Sequence, residues 1–129
     1  MDLAVGIKGE KHITVTAENT AAALGSGLLP VFSTPSLIAL MENTCSTSVQ
    51  DCLPEGSGTV GISLDVKHTA ATPVGMEVRC ESELIGIDRR RLVFKVAAYD
   101  AAGEIGHGTH ERFIIDNERF MEKVNAKLN

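Results

Sequence analysis

Apolar and polar residues alternate with the two-residue period of a β-strand in five segments of the chain. The first, residues 12–17 (HITVTA), is rich in β-branched side chains. Four longer segments follow in the second half, at residues 59–69, 77–87, 91–99 and 104–115. Because short links join these four, we expect consecutive antiparallel hairpins.

A long helix is predicted between the first strand and the other four. Thr34 is a favoured N-cap residue, and Pro35 suits a first helical turn, where its missing N–H would be unbonded anyway. The pattern then runs to about Cys52 and ends at residues 53–58 (LPEGSG), a strong helix breaker. The sequence therefore predicts a helix over residues 34–52.

Two segments remain outside these elements. Residues 19–32 mix Ala, Gly, Leu and Ser and are interpreted as a loop with one helical turn, and residues 117–128 as a short charged helix. One long helix against one antiparallel sheet is an α+β layer arrangement. With 129 residues and 43% hydrophobic residues, the chain suits a single domain over residues 1–129.

Charge and cysteine content narrow the class of protein. The net charge of −5 disfavours nucleic acid and anionic membranes as partners, and no segment approaches the ~20 apolar residues of a membrane helix. An odd number of cysteines (Cys45, Cys52 and Cys80), with no signal-like start, does not suit a disulfide framework. We therefore expect a cytoplasmic location.

Glu42 is the only charged residue between Pro35 and Gln50 of the predicted helix, and it follows the apolar run of residues 37–41. A helix that is close to apolar all round is normally buried, where an unpaired carboxylate is costly. Such a carboxylate is suited to proton transfer. The alternative, equally open on the helix pattern alone, is that Glu42 reaches solvent or forms a structural pair.

His68 ends a strand whose alternation places five residues on one face: Val60, Ile62, Leu64, Val66 and His68. A polar side chain at the loop end of an apolar face is common in functional sites. On the pattern alone, a core histidine bonded to a backbone carbonyl is the more frequent case.

No metal site or cofactor is expected. His107 and His110 lie three apart on a predicted strand and so face opposite sides, and no further residue has metal-ligand spacing. A basic cluster, Arg89 to Arg91, could hold phosphates of a nucleotide or coenzyme A (CoA), although a solvated hairpin turn is the more frequent case for any one of the three.

Taken together, five segments resemble the fluoroacetyl-CoA thioesterase-like branch of the hotdog-fold thioesterases. They are residues 32–35 (FSTP), 40–42 (LME), 66–75 (VKHTAATPVG), 90–94 (RRLVF) and 108–113 (GTHERF). The resemblance implies an antiparallel sheet wrapped around a central helix, a homodimer or higher homo-oligomer, and acyl-CoA as the substrate. It also implies five site residues: Thr34, Glu42 and His68 as catalytic residues, with Gly61 and Arg112 near the acyl group.

The segment before Thr34 departs from the family pattern. Members selective for fluoroacetyl groups have an aromatic-rich lid there, whereas residues 19–32 contain Phe32 as their only aromatic residue. We therefore expect hydrolysis of short-chain acyl-CoA thioesters in general. Two alternatives stay open: a non-catalytic acyl-CoA-binding hotdog domain, and a hotdog dehydratase or hydratase.

Helix geometry poses a problem for one shared site. If Thr34 caps the helix, Glu42 lies about 12 Å further along its axis, too far for both to reach one thioester carbonyl. Either Thr34 lies off the helix, or the site is assembled across a two-fold axis, as in other hotdog dimers; we prefer the second. The helix N-terminus is expected to offer several free amides for negative charge.

Overall fold

The computed structural model describes residues 2–129 and contains one five-stranded antiparallel sheet with one long helix packed against it. The strands and helices in chain order are β1 (Lys8–Thr14), α1 (Ala21–Leu24), α2 (Thr34–Gln50), β2 (Ser57–His68), β3 (Glu77–Asp88), β4 (Arg91–Asp100), β5 (Gly103–Asp116) and α3 (Asn117–Asn125). Single 3₁₀ turns, Ala17–Asn19 and Ala126–Leu128, precede α1 and follow α3. The predicted α+β architecture is confirmed.

The strand order is β1-β3-β4-β5-β2, so the predicted run of three hairpins is wrong at its first link. β3, β4 and β5 do form consecutive hairpins, whereas β2 pairs with β5 at the far edge. The link from β2 to β3 does not close a turn, because it bonds to the N-terminal segment: Phe32 N–H donates to Thr72 O, and Val15 N–H to Met76 O. This link crosses the end of the sheet.

Helix α2 is amphipathic within a single chain. Its buried side chains pack against the sheet and form the core with residues of β3 and β4; they include Leu37, Met41, Cys45 and Val49. Pro35, Ala39 and Asn43 are exposed, so the expectation of a helix buried on all sides is wrong for one chain. Apart from the partly exposed Glu42 side chain, the exposed surface of α2 carries no charge, unlike that of an ordinary solvent-facing helix.

The N-cap of α2 is Ser33, not Thr34 as predicted. The Ser33 side chain accepts the Ser36 N–H at 3.1 Å, and its carbonyl accepts the Leu37 N–H. Thr34 is the first helical residue, which leaves its hydroxyl available for another partner.

A β-bulge between Gly61 and Ser63 changes the phase of β2. The predicted common face of Val60, Ile62, Leu64, Val66 and His68 is therefore wrong before the bulge. Gly61 faces α2 there, and the extra residue, Ile62, is half exposed at 50%. After the bulge the predicted alternation holds, since Leu64 pairs with the buried His110.

None of the helices formed by residues 2–129 combines the length and apolarity needed to cross a membrane.

Candidate active site

Thr34 and His68 come together at the N-terminal end of α2. The Thr34 Oγ1 lies 2.8 Å from Nδ1 of His68, the last residue of β2. Both side chains line an open cleft of about 300 Å³, together with Ala21, Val31, Phe32 and residues 69–71. Both residues were predicted to belong to one site, and their side chains are in direct contact within one chain.

The other ring nitrogen of His68, Nε2, is buried and lacks a hydrogen-bond partner within residues 2–129. Burial lowers the pKa of His68, because desolvation disfavours the imidazolium, while the nearby backbone of Ala70 acts in the opposite direction. The ring is thus kept neutral down to a lower pH than a free histidine.

The helix N-terminus offers fewer amides than expected. Ser36 N–H is taken by the Ser33 hydroxyl, and Pro35 has no N–H. Thr34 therefore supplies the one remaining amide of the first turn, and a multi-donor anion site is absent from this end of α2 in the described chain.

Glu42 lies near the middle of α2, above Gly61. Its side chain is 39% exposed. A Cβ at Gly61 would lie 2.8 Å from Glu42 Oε2, 3.2 Å from His110 Cε1 and 3.4 Å from Arg112 Nη1. Because Gly61 has no side chain, a carboxylate, an imidazole edge and a guanidinium approach the strand so closely that a Cβ would not fit; the place where these three groups meet is called the Gly61 hollow below.

Arg112 is buried, at 7% exposure, and firmly held. Its Nε donates to Thr59 Oγ1 at 2.7 Å, and its Nη2 to the Thr59 carbonyl at 2.9 Å. Burial lowers its pKa and the nearby Glu42 opposes this, but an arginine remains charged throughout the ordinary pH range. Glu42 Oε2 lies 3.9 Å from Nη1, a close charge pair without a hydrogen bond.

His110 and Thr59 are parts of this cluster that the sequence reasoning did not single out. His110 is 1% exposed, and its Nδ1 lies 2.9 Å from the Ser63 carbonyl. His107 is exposed and paired with Glu104, so the prediction that the two histidines face opposite sides is confirmed. One signal was available: His110 and Arg112 lie two apart on a strand and must share a face.

One chain thus contains two separate polar clusters. Thr34 and His68 lie at the start of α2, whereas Glu42, Gly61 and Arg112 lie about 12 Å further along its axis. Because Thr34 is helical, the alternative that placed it off the helix is wrong. Assembly of the site from two chains stays a prediction.

No group of three or more His, Cys, Asp or Glu side chains within residues 2–129 is arranged to hold a metal ion. In the basic cluster, Arg91 donates to Glu111 at 2.6 Å, which leaves Arg89 and Arg90 for the phosphate role. That role stays a prediction.

The segment before Thr34 covers one side of the Thr34–His68 cleft. It contains α1, whose N-cap Thr20 also pairs with Phe32, and its tip exposes Leu24, Leu28 and Leu29. The predicted single helical turn in this loop is confirmed.

Comparison with known proteins gives consistent results. A family model described as fluoroacetyl-CoA-specific thioesterase matches residues 15–118. A fluoroacetyl-CoA thioesterase from Streptantibioticus cattleyicolor is 43% identical over 97 residues, covering 75% of this chain and 70% of the relative. A solved fluoroacetyl-CoA thioesterase structure superposes with a TM-score of 0.93 at 35% identity, covering 98% of both chains. A thioesterase superfamily member from Thermus thermophilus gives a TM-score of 0.87 at 26% identity, with coverages of 97% and 92%. The predicted hotdog fold is confirmed by these structures.

Proposed function

This chain belongs to the fluoroacetyl-CoA-specific thioesterase family, and on that basis we propose that it hydrolyses short-chain acyl-CoA thioesters to the free acid and CoA. Thr34, Glu42 and His68 carry the chemistry, and Gly61 and Arg112 hold the acyl group. The observation that carries most weight is the Gly61 hollow. It places the only charged side chain of α2 beside a buried guanidinium, over a strand position that has no side chain.

Thioester hydrolysis needs an attacking oxygen, a proton acceptor and donors for the developing oxyanion. Glu42 either activates a water molecule or attacks the carbonyl itself. His68 accepts and delivers protons, including the one that the departing thiolate requires, and Thr34 fixes the orientation of its ring. Arg112 supplies fixed positive charge next to the reacting carbonyl.

The proposal includes a homodimer, because the two clusters must approach each other to form one site. Of the two sheet edges, β1 is short and exposes Lys8, Glu10 and Lys11, features that discourage strand pairing. The β2 edge has 12 residues and exposes Ile62 and Leu64. The outer surface of α2, nearly free of charge, lies next to this edge and suits a partner helix.

Symmetric pairing of β2 with its copy also explains how the clusters meet. In an antiparallel pairing with Asp65 opposite its own copy, Leu64 lies opposite the partner's Val66, and the bulge places Gly61 and Ile62 opposite the partner's His68. Glu42 then approaches the Thr34–His68 pair of the other chain, and the buried Nε2 of His68 gains a polar environment. Each dimer contains two such sites.

The non-catalytic alternative predicts acyl-CoA binding without turnover. We test the proposal by measuring thiol release from a series of acyl-CoA thioesters with wild type and Glu42→Gln. The substitution keeps size and removes the charge, so it should lower kcat by about 100-fold or more while the thermal unfolding curve remains similar. Near wild-type turnover in folded Glu42→Gln would refute the assignment of Glu42.

Selectivity is proposed to be broad among short acyl groups, because the segment before Thr34 presents leucines where fluoroacetyl specialists have aromatic residues. The measurement is the ratio of kcat/KM for fluoroacetyl-CoA to that for acetyl-CoA. A strong preference for fluoroacetyl-CoA would contradict this part.

Two further parts of the proposal concern the whole chain. Residues 1–129 form one domain, consistent with the single core cluster. A cytoplasmic location is supported by Cys45, Cys52 and Cys80, which are all free thiols.

A further inference from the structure

His110 makes two hydrogen bonds that together fix its protonation state. One ring nitrogen, Nδ1, lies 2.9 Å from the carbonyl of Ser63, and the other, Nε2, lies 3.1 Å from Nη1 of Arg112. A carbonyl can only accept and a guanidinium can only donate. His110 must therefore be neutral, with its hydrogen on Nδ1 and its Nε2 lone pair directed at Arg112.

The surroundings hold the ring in this orientation. His110 is fully buried, and the Phe94 ring stacks on it with centroids 6.4 Å apart. Burial lowers the pKa of His110, and Arg112 lowers it further, while the Ser63 carbonyl, Glu42 and Glu111 act in the opposite direction. Ser63 follows the β-bulge, so His110 connects the bulge beside Gly61 to the guanidinium.

The hydrogen-bond donors of Arg112 are only partly used within the described part of the chain. Of its five N–H groups, Nε–H and one Nη2 hydrogen bond to Thr59 and one Nη1 hydrogen goes to His110, which leaves one hydrogen on Nη1 and one on Nη2. The second Nη1 hydrogen has no acceptor within residues 2–129, since Glu42 Oε2 is 3.9 Å away. The three hydrogen bonds fix the guanidinium group and so determine the direction in which the second Nη1 hydrogen points.

We propose that His110 is a positioning residue of the hydrolytic site, which accepts one Nη1 hydrogen of Arg112 and so directs the other into the Gly61 hollow. There it donates to the acyl carbonyl oxygen as negative charge develops on it. The inference rests on the proposed function, since it requires Glu42 and Arg112 to face the substrate. His110 acts only through Arg112, in contrast to His68, which exchanges protons with the reactants.

Two substitutions separate the two bonds of His110. In His110→Asn, the amide N–H can still reach the Ser63 carbonyl, but the acceptor for Arg112 is lost. In His110→Gln, the longer side chain can present its carbonyl oxygen to Arg112. We expect His110→Asn to lower kcat by about 10-fold or more, the scale of a misplaced catalytic donor, with KM changed less, and His110→Gln to retain most of kcat. Equal activities of the two variants would overturn the proposal.

A double-mutant cycle tests whether the effect passes through Arg112. In an Arg112→Lys background, His110→Asn should cause little further loss, because the oriented Nη1 donor is already gone. The same fold-loss in both backgrounds would overturn the proposal, because a merely structural histidine gives independent effects. Glu42→Gln is assayed alongside. If it is inactive while His110→Asn equals wild type, only the role of His110 fails; if it is fully active, the proposed site and this inference fail together.

A measurement on the wild-type protein covers the case in which the variants do not fold. Nitrogen-15 NMR of the imidazole groups reports which ring nitrogen of His110 carries the hydrogen. We expect the Nδ1–H tautomer at pH 7; the Nε2–H tautomer would overturn the proposal, because that nitrogen could not accept from Arg112.

Discussion

At Gly61 a single added methyl group would reach the carboxylate of Glu42. A Cβ there lies 2.8 Å from Glu42 Oε2, closer than real Cβ atoms approach other atoms. Gly61→Ala should therefore displace Glu42 or Arg112 and lower kcat by about 10-fold or more, because small misplacements of reacting groups are costly. Steady-state thiol release from acetyl-CoA measures it.

Gly86→Ala is the matched control for Gly61→Ala. Gly86 also lies in a strand beside a bulge, and a Cβ there makes ordinary contacts of 3.5 Å with the Val93 side chain. Its kcat should stay close to wild type. Equal losses in both variants would indicate a general effect on the sheet and would remove the argument for the Gly61 hollow.

In the proposed mechanism, the protonation of His68 determines how activity depends on pH. Burial lowers its pKa below the usual value near 6.5, so His68 is neutral and able to accept a proton at and above that pH. We expect kcat/KM to be constant there and to fall at lower pH as His68 becomes protonated. In His68→Ala this transition should shift or vanish, with kcat reduced by about 100-fold or more.

Substitutions of Thr34 provide a control for the proposed role of His68. Thr34→Ser keeps an oxygen near His68 Nδ1, whereas Thr34→Val removes it at nearly constant volume. Serine should preserve activity much better than valine. Thermal unfolding on the same preparations distinguishes the structural alternative: a His68→Ala protein that is less stable yet fully active would make His68 a core residue.

Of the proposed site residues, the sequence pattern alone identified only those whose charge or polarity contrasts with an apolar surrounding segment. Glu42 is the one charge in its helix, and His68 ends an apolar strand face, so both are visible without a structure. Thr34 was interpreted as a helix cap, and Gly61 and Arg112 came from family resemblance alone. His110 lies in a strand where its burial depends on the pairing with β2 and on Phe94, and these contacts cannot be derived from local pattern.

At the scale of elements, the proposed dimer depends on the edge strand β2. Leu64 is 39% exposed near the centre of the proposed pairing. Leu64→Asp should place a carboxylate against the partner's Val66, an apolar residue, and shift the protein towards a monomer of 13.7 kDa, with loss of activity. Light scattering at micromolar concentration, alongside the thiol assay, measures both.

Ile85→Asp is the matched control for this edge. Ile85 is similarly exposed, at 43%, but lies in β3, which already has a neighbour on each side. This variant should remain dimeric. A wild-type protein that is already monomeric, or a dimer that survives Leu64→Asp, would contradict pairing through β2.

Sequence patterns located the interior elements well and the edges poorly. Predicted β3, β4 and β5 agree with the structure within one residue at each end, because burial on one face imposes a clear alternation. β1 was placed at residues 12–17 but forms at Lys8–Thr14, since an exposed edge strand tolerates the charged residues 8–11. Neither the bulge in β2 nor the crossing of its link to β3 leaves a signal in local pattern; both arise from long-range pairing.

At the scale of the whole molecule, each chain contains two parts of the proposed site that do not meet. A single chain separates Glu42 from the Thr34–His68 pair by about 12 Å along α2. It also leaves the 12-residue edge strand β2 and the outer face of α2 exposed. One two-fold axis would cover both surfaces and join the two clusters, so dimerisation and catalysis should be lost together.

Complementation between two inactive chains tests this central claim most directly. Differently tagged Glu42→Gln and His68→Ala chains are co-expressed, and the mixed dimer is isolated through both tags and assayed for thiol release. If each site takes Glu42 from one chain and His68 from the other, the mixed dimer has one intact and one doubly defective site. Its kcat should then recover to about half that of wild type, since two-fold symmetry gives the dimer two equivalent sites. A mixed dimer as inactive as either parent would contradict the shared site.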